Sequence, residues 1–187
     1  DIAIPLKSGS IAIADQFLGL VYGTINSFNE VRPNGPSNNR AFSIGVSKSK
    51  VIVAAGAYNS AYGNLWYPLS YHKFENEQWQ TSEEWVDRDA VRVEFNPSNE
   101  NEFFVASWGN GVFHYRNNEV VANYNPDNST LQSIYSGQPY CRISGLAMGG
   151  KGNLWTANAM VPKPISVRKA DGSWYSFAYA STINSDR

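Results

Sequence analysis

Large and small apolar positions recur along this chain at a fixed long interval. The segments Val51-Ile52-Val53-Ala54-Ala55-Gly56, Phe103-Phe104-Val105-Ala106-Ser107-Trp108-Gly109 and Leu154-Trp155-Thr156-Ala157-Asn158 align, with Ile52, Phe104 and Trp155 equivalent at spacings of 52 and 51 residues. Ala54, Ala106 and Ala157 repeat at the same intervals. Side chains alternate between the faces of a strand, so a bulky residue and a small one two places later share a face. The rest of each unit also alternates with period two, and no amphipathic helix longer than about two turns is predicted.

Each unit reads as four short strands. In the third they are predicted at 143–148, 153–158, 165–169 and 173–177, with Gly149-Gly150-Lys151-Gly152 and Asp171-Gly172 as turns. Asp-Gly between two strand-like runs predicts a type I′ hairpin, which needs positive φ at both central residues. The second unit predicts strands at 91–95, 102–107, 112–116 and 119–124, with Asn117-Asn118 as its last turn. The first runs from 41 to 85 and carries a longer middle loop at 57–67. Four-stranded units at this period are blades of a β-propeller. The fold class is therefore all-β, with a partial blade or lead-in strands over 1–39, blades over 40–86, 87–135 and 136–181, and a tail over 182–187. Two alternating runs in the lead, 10–14 and 17–22, are expected as outer strands. About three full blades and a partial one fall short of the four to eight of closed propellers. A fragment of a larger propeller is expected, with open edges that favour edge-to-edge self-association.

Composition narrows the functions. The 187 residues are 42% hydrophobic and 14% aromatic, ample for a packed core. Net charge is −1 and the Lys and Arg residues are scattered, which argues against nucleic acid as a partner. Cys141 is the one cysteine, so neither an internal disulfide nor a cysteine-rich zinc site is available. No apolar run approaches the roughly 18 residues of a membrane helix, so no membrane span is expected in this segment, and no cofactor.

Catalytic signals are thin. His72 and His114 fall in third strands beside Tyr71 and Tyr115, where packing competes with a role as general base. Glu83, Glu84, Asp87 and Asp89 offer paired carboxylates of the kind glycosidases use, in what reads as a solvated linker between blades. Trp79, Trp155 and Trp174 occupy repeating strand positions and read as core. Trp108, followed by Gly109-Asn110-Gly111, closes a second strand where loops reach one rim, and Asn158 is placed as its counterpart in the third unit. Tyr58, Tyr62 and Trp66 lie in the long loop on the same rim, where a rigid scaffold presents binding residues. Arg40 and Arg142 each stand four residues before the equivalent Ile44 and Leu146, with Arg88 and Arg92 flanking the matching place in the second unit. These arginines would ring one mouth of the channel and favour carboxylate or phosphate; the structural alternative is pairing with carboxylates such as Asp87 or Asp89. The candidate ligand-binding set is thus Arg40, Arg88, Arg142, Trp108, Asn110, Asn158, Tyr58 and Tyr62.

Several blade motifs resemble a known family. They are Glu94-Phe95-Asn96-Pro97-Ser98-Asn99, Phe104-Val105-Ala106-Ser107-Trp108-Gly109-Asn110-Gly111-Val112, Ile143-Ser144-Gly145-Leu146-Ala147, Gly152-Asn153-Leu154-Trp155 and Asp171-Gly172-Ser173-Trp174. Together they are similar to the two-component-regulator propeller blades of Bacteroidetes, in particular those of PorZ-like accessory proteins of type IX secretion. The resemblance implies an extracytoplasmic protein, at the periplasm or cell surface. It also implies a non-catalytic role in binding or scaffolding a glycan, an anionic lipopolysaccharide or a secretion-system protein, in type IX secretion or cell-surface sensing. Sensor blades carry Asp before their Gly-x-Leu-Trp turn; Gly150-Lys151 stands there instead. The alternative is a propeller enzyme, a glycosidase or a streptogramin-lyase-like lyase, which needs a histidine or carboxylates converging at the channel mouth.

Overall fold

The computed structural model describes residues 2–7, 9–16, 18–31 and 34–179, and over 84–87 the backbone alone. Phe17 and the expected tail at 182–187 lie outside the described residues. Among those described, every regular element is a strand. A first unit, up to Gly35, holds β1 (Ile2–Pro5), β2 (Ile11–Asp15), β3 (Gly19–Thr24) and β4 (Ser27–Val31) in one antiparallel meander. The lead therefore carries two strands, β1 and β4, besides the alternating runs.

The second unit, from Pro36, holds three more meanders. They are β5 (Ser43–Val46), β6 (Val51–Ala54), β7 (Pro68–Glu75) and β8 (Gln78–Asp87); β9 (Ala90–Asn96), β10 (Asn99–Gly109), β11 (Val112–Arg116) and β12 (Glu119–Tyr124); and β13 (Cys141–Met148), β14 (Leu154–Asn158), β15 (Ile165–Arg168) and β16 (Trp174–Phe177). Their first strands β5, β9 and β13 lie side by side. The last two blades are also stitched where the end of β10 pairs with the start of β13, Trp108 opposite Arg142 and Gly109 opposite Cys141.

Alternation along β10 builds the core on both its faces. Phe103 and Val105 join Ile52, Ala54, Leu69 and Tyr71 of the preceding blade in one buried cluster. Phe104, Ala106 and Trp108 point the other way and meet Ile143 and Leu154 of the following blade in a second. Within the first, Phe103 stacks on Tyr115 at 4.8 Å and Tyr71 meets both edge-on at 5.4 Å; such pairs each add about 0.5–1.5 kcal/mol beyond area burial. Val91 sits where the β9–β10 register slips between Ala106 and Ser107, so it faces the second cluster while Val93 and Phe95 face the first. Gly56 is required where the blades approach, since a Cβ there would lie 2.1 Å from the backbone nitrogen of Ala90.

The three large-then-small pairs are equivalent in facing. Ile52 and Ala54 face the next blade, Phe104 and Ala106 face the next, and Trp155 and Ala157 lie on the matching face of the third. Trp155 is nevertheless 40% exposed, resting on Phe177 at 6.0 Å, so it is not a core residue as read from its strand position. The turns also correct one expectation. Asn76-Glu77 and Asn117-Asn118 have positive φ at both positions, as a type I′ hairpin requires. In Asp171-Gly172 only the glycine does (φ 91°). The Asp171 carboxylate accepts from the Ser173 N–H at 2.8 Å and its hydroxyl at 2.6 Å, which stabilises a three-residue turn ending in left-handed glycine.

Candidate functional site: an arginine and aromatic rim

Asp89 organises the site. It precedes β9, is fully buried, and its carboxylate accepts four hydrogen bonds from the loop 57–67. Oδ2 takes the N–H groups of Leu65 (3.1 Å) and Trp66 (3.0 Å) and the Asn64 amide (3.0 Å), while Oδ1 takes the Tyr67 N–H (3.1 Å). Asn64 also donates to the Trp108 carbonyl at 2.9 Å and accepts from the Tyr140 hydroxyl. Asn59 caps the loop's other half through the N–H groups of Ala61 and Gly63, both at 2.9 Å. Asp89 is thus neither a solvated linker residue nor the arginine partner considered above, because its acceptor capacity goes to three backbone amides and the Asn64 side chain. Glu83, Glu84 and Asp87 belong to β8, not to a linker.

The loop carries aromatic residues on both sides. Tyr58 packs inward between Phe42 (4.8 Å) and Trp108 (4.5 Å). Trp108 is only 3% exposed, and its indole N–H donates to the Tyr62 carbonyl at 2.8 Å, so it supports the loop and presents no face to solvent. Tyr62 and Trp66 point outward, as does Met160 from the β14–β15 connection. All three have left-handed backbone, φ 58°, 62° and 59°. Bulky residues in that region cost about 1–3 kcal/mol each and persist where the surroundings dictate them.

Two arginines converge here. Arg88 lies over Trp66 (5.5 Å) and Tyr140 (5.9 Å); Arg142 lies over Tyr140 and Trp108, both at 5.3 Å. Gly109 makes room, since a Cβ there would come within 2.8 Å of Arg88 Cδ. Arg142 is 9% exposed; it donates to the Tyr140 hydroxyl at 3.4 Å and to Met160 Sδ at 3.7 Å. Among the described residues no carboxylate reaches it. Arg40 and Arg92 rest on other rings, Tyr67 (4.7 Å) and Phe42 (5.6 Å).

The remaining candidates serve the backbone. Asn158 is buried, donates to the Arg142 carbonyl at 3.1 Å and accepts from the Gln132 N–H at 2.7 Å. The Ser107 hydroxyl makes the same contact to the Arg88 carbonyl at 2.6 Å, so Ser107, not Trp108, is the counterpart of Asn158. Asn110 engages through its backbone, its N–H donating to Ser107 Oγ and its carbonyl accepting from Asn123. Sequence reading missed Tyr140, the ring both arginines share. The available signal was its place just before Cys141-Arg142, after the Gly-Gln-Pro loop.

Both histidines are buried. His72 contacts Thr81 (2.8 Å) and Asn38 (3.2 Å); His114 contacts Glu102 (2.7 Å) and Tyr124 (3.3 Å) and stacks on Phe104 at 4.5 Å. His114 and Glu102 line a cavity of about 240 Å³ with Arg168 and Met148 of the next blade. Burial holds both imidazoles below the ordinary histidine value, and for His114 this outweighs the pull of Glu102. The unfolded chain therefore binds the extra protons first, and the neutral-histidine fold loses stability as pH drops below about 6.5. Urea midpoints should hold between pH 8 and 7 and decline from 6.5 to 5, with a His72→Gln/His114→Gln variant flattening the decline. A wild-type midpoint flat across that range would contradict this. Cys141 is also buried, which pushes its thiol up to about 12. Iodoacetamide at pH 8 should leave it unlabelled in the folded chain and label it in urea.

No family model and no curated protein matches the chain. Solved structures do. PorZ, an essential bacterial surface component of the type IX secretion system of Porphyromonas gingivalis, aligns with TM-score 0.71 and 22% identity over 92% of this chain. The extracellular domain of a putative one-component system from Bacteroides thetaiotaomicron aligns with TM-score 0.55 and 12% identity over 97%. The β-propeller domain of Cps50 (Swd1) from Myceliophthora thermophila gives 0.55 and 13% over 98%. The chain spans 25% of the length of each of the first two and 56% of the third. At these identities the likeness concerns architecture, and it agrees with the strand order and the repeated interblade packing. The chain is an all-β run of propeller blades, similar in fold to PorZ.

Proposed function

We propose that this chain is a non-catalytic, extracytoplasmic propeller segment that binds a ligand or partner at the rim formed by Arg88, Arg142, Trp66 and Tyr140. The observation that carries the reading is the construction of that rim. A buried carboxylate fixes a loop in strained backbone so that large side chains stay exposed beside two guanidinium groups. The surface location of PorZ and the extracellular location of the sensor domain support an exported setting, in type IX secretion or cell-surface sensing. Glycan, anionic lipopolysaccharide and a secretion-system protein are the ligand classes in play. Self-association at the open end of this run, edge-to-edge along β16 and through the adjoining face where Trp155, Tyr175 and Phe177 are exposed, belongs to the same scaffold reading. Titrating the chain with anionic lipopolysaccharide and with acidic peptides tests it. Trp66→Ala should weaken whichever binds about tenfold or more without moving the urea midpoint; binding indifferent to Trp66→Ala and Arg88→Gln would end the proposal.

The enzyme alternative has one observation in its favour, the 2.7 Å contact between His114 and Glu102 beside a cavity. It is the weaker reading. Glu102 is also engaged by Arg116 and Asn96, and His114 is buried against Phe104 and Tyr124. Hydrolysis or elimination of a polysaccharide that disappears in His114→Gln would establish it instead.

A further inference from the structure

We infer that the rim's partner is a protein segment presenting a carboxylate among apolar side chains, and that this carboxylate engages Arg142; the inference rests on the rim being the binding surface. Three features separate a protein from a sugar. First, the large apolar and aromatic side chains exposed there are Tyr62, Leu65, Trp66, Tyr135 and Met160, beside two arginines. Aromatic residues, Met and Arg are what the centres of protein interfaces are enriched in, with Lys, Asp and Glu depleted. Second, a sugar presents many hydroxyl donors and needs side-chain acceptors. The carboxylate and two of the amide oxygens beside the rim are already engaged: Asp89 on the loop amides, Asn64 on the Tyr140 hydroxyl, Asn158 on Gln132. Third, Arg142 is a buried guanidinium whose partners are two ring faces, one hydroxyl and one thioether. A thioether is a weak acceptor, and a planar fork of N–H donors matches a carboxylate far better.

Met160 is the element that yields. Its flexible, exposed side chain lies on Nη1 of Arg142 and can move aside for an incoming carboxylate. The loop that carries Leu65 and Trp66 is already held by Asp89, so its ordering costs binding little.

The test is selection of twelve-residue peptides from a random displayed library on the immobilised chain, followed by fluorescence polarisation of the selected peptides, with purified lipopolysaccharide titrated in parallel. Selected peptides should share an Asp, a Glu or a free C-terminal carboxyl next to Leu, Phe or Met. Converting that acid to its amide and introducing Arg142→Gln should each weaken binding on the order of tenfold or more, and the two together should not multiply. If Arg142→Gln does not fold, Met160→Glu replaces it: a carboxylate supplied within the chain should block the peptide to a similar extent. Peptides that bind the rim without an acid, or whose binding ignores the amide change, overturn the inference. Lipopolysaccharide bound in a Trp66-dependent way with no peptide selected overturns it too, while leaving the rim as the binding surface. Neither ligand binding ends both.

Discussion

Asp89→Ala should lower the unfolding free energy by about 3–5 kcal/mol and release the loop 57–67 from the blade. Hydrogen bonds to a charged group contribute about 1.5–3 kcal/mol each, and the buried Asp89 carboxylate receives four. The released amides find water once the loop moves, which keeps the loss below the simple sum. Asp89→Asn should fall between, since its NH₂ would face donors where an oxygen now accepts. Urea melts give the free energies. Hydrogen exchange at Leu65, Trp66 and Tyr67 reports the loop and should accelerate in Asp89→Ala far more than exchange at Phe104 or Val105. A loss under about 1 kcal/mol with unchanged exchange would mean the loop holds itself, through Asn59 and the packing of Tyr58, and that Asp89 is incidental. Loss of rim binding in a variant that still melts cooperatively would link this carboxylate to function through the loop it shapes.

The same residue marks where sequence reading stops. The blades were legible because their cause is local: alternation and turn chemistry within a few residues define each strand, and Ile52, Phe104 and Trp155 carry the repeat. Strands β11 and β12 fall where the pattern placed them. The Asp171-Gly172 turn was misread because an Asp side chain bonding two residues ahead competes with the dipeptide's preference. For the site, the register did bring Arg88 and Arg142 to one rim. What they rest on was not legible. Asp89 meets amides more than twenty residues earlier in the chain, and Tyr140 meets Asn64 across two blades, so no pattern of spacing announces either. Acidic residues near a blade junction look like a solvated linker until the fold buries one of them.

In the second and third blades a division of labour along the second strand explains how the blade supports the rim. The polar residue at its inner end, Ser107 or Asn158, holds the carbonyl of the arginine near the start of the neighbouring first strand, Arg88 just before β9 or Arg142 in β13. The arginine's side chain lies over the rings of Trp66, Tyr140 and Trp108. Position is thus set by backbone contacts and chemistry by the side chain, an arrangement that suits a rigid surface better than a moving lid.

Phe104→Ala and Trp155→Ala should differ sharply although the two residues are equivalent in the repeat. Phe104 is buried between blades with His114 stacked on it, and truncating a buried phenylalanine costs about 3–5 kcal/mol in lost transfer and cavity energy. Trp155 occupies the same strand position one blade on, but the face it shares with Tyr175 and Phe177 is open, so truncation should cost about 1 kcal/mol or less. Ile52→Ala, on the first blade's equivalent face and fully buried, should resemble Phe104→Ala at about 2–5 kcal/mol. Urea denaturation of the three variants at one low protein concentration compares them directly. Sedimentation over a concentration series adds the second half: if the open face pairs with another copy, Trp155→Lys should reduce association while its midpoint at low concentration stays with the wild type. A Trp155→Ala loss as large as that of Phe104→Ala, at a concentration where the chain is monomeric, would mean that this face is covered within the single chain. The reading of three successive wedges, the last with its far face open, would then fail.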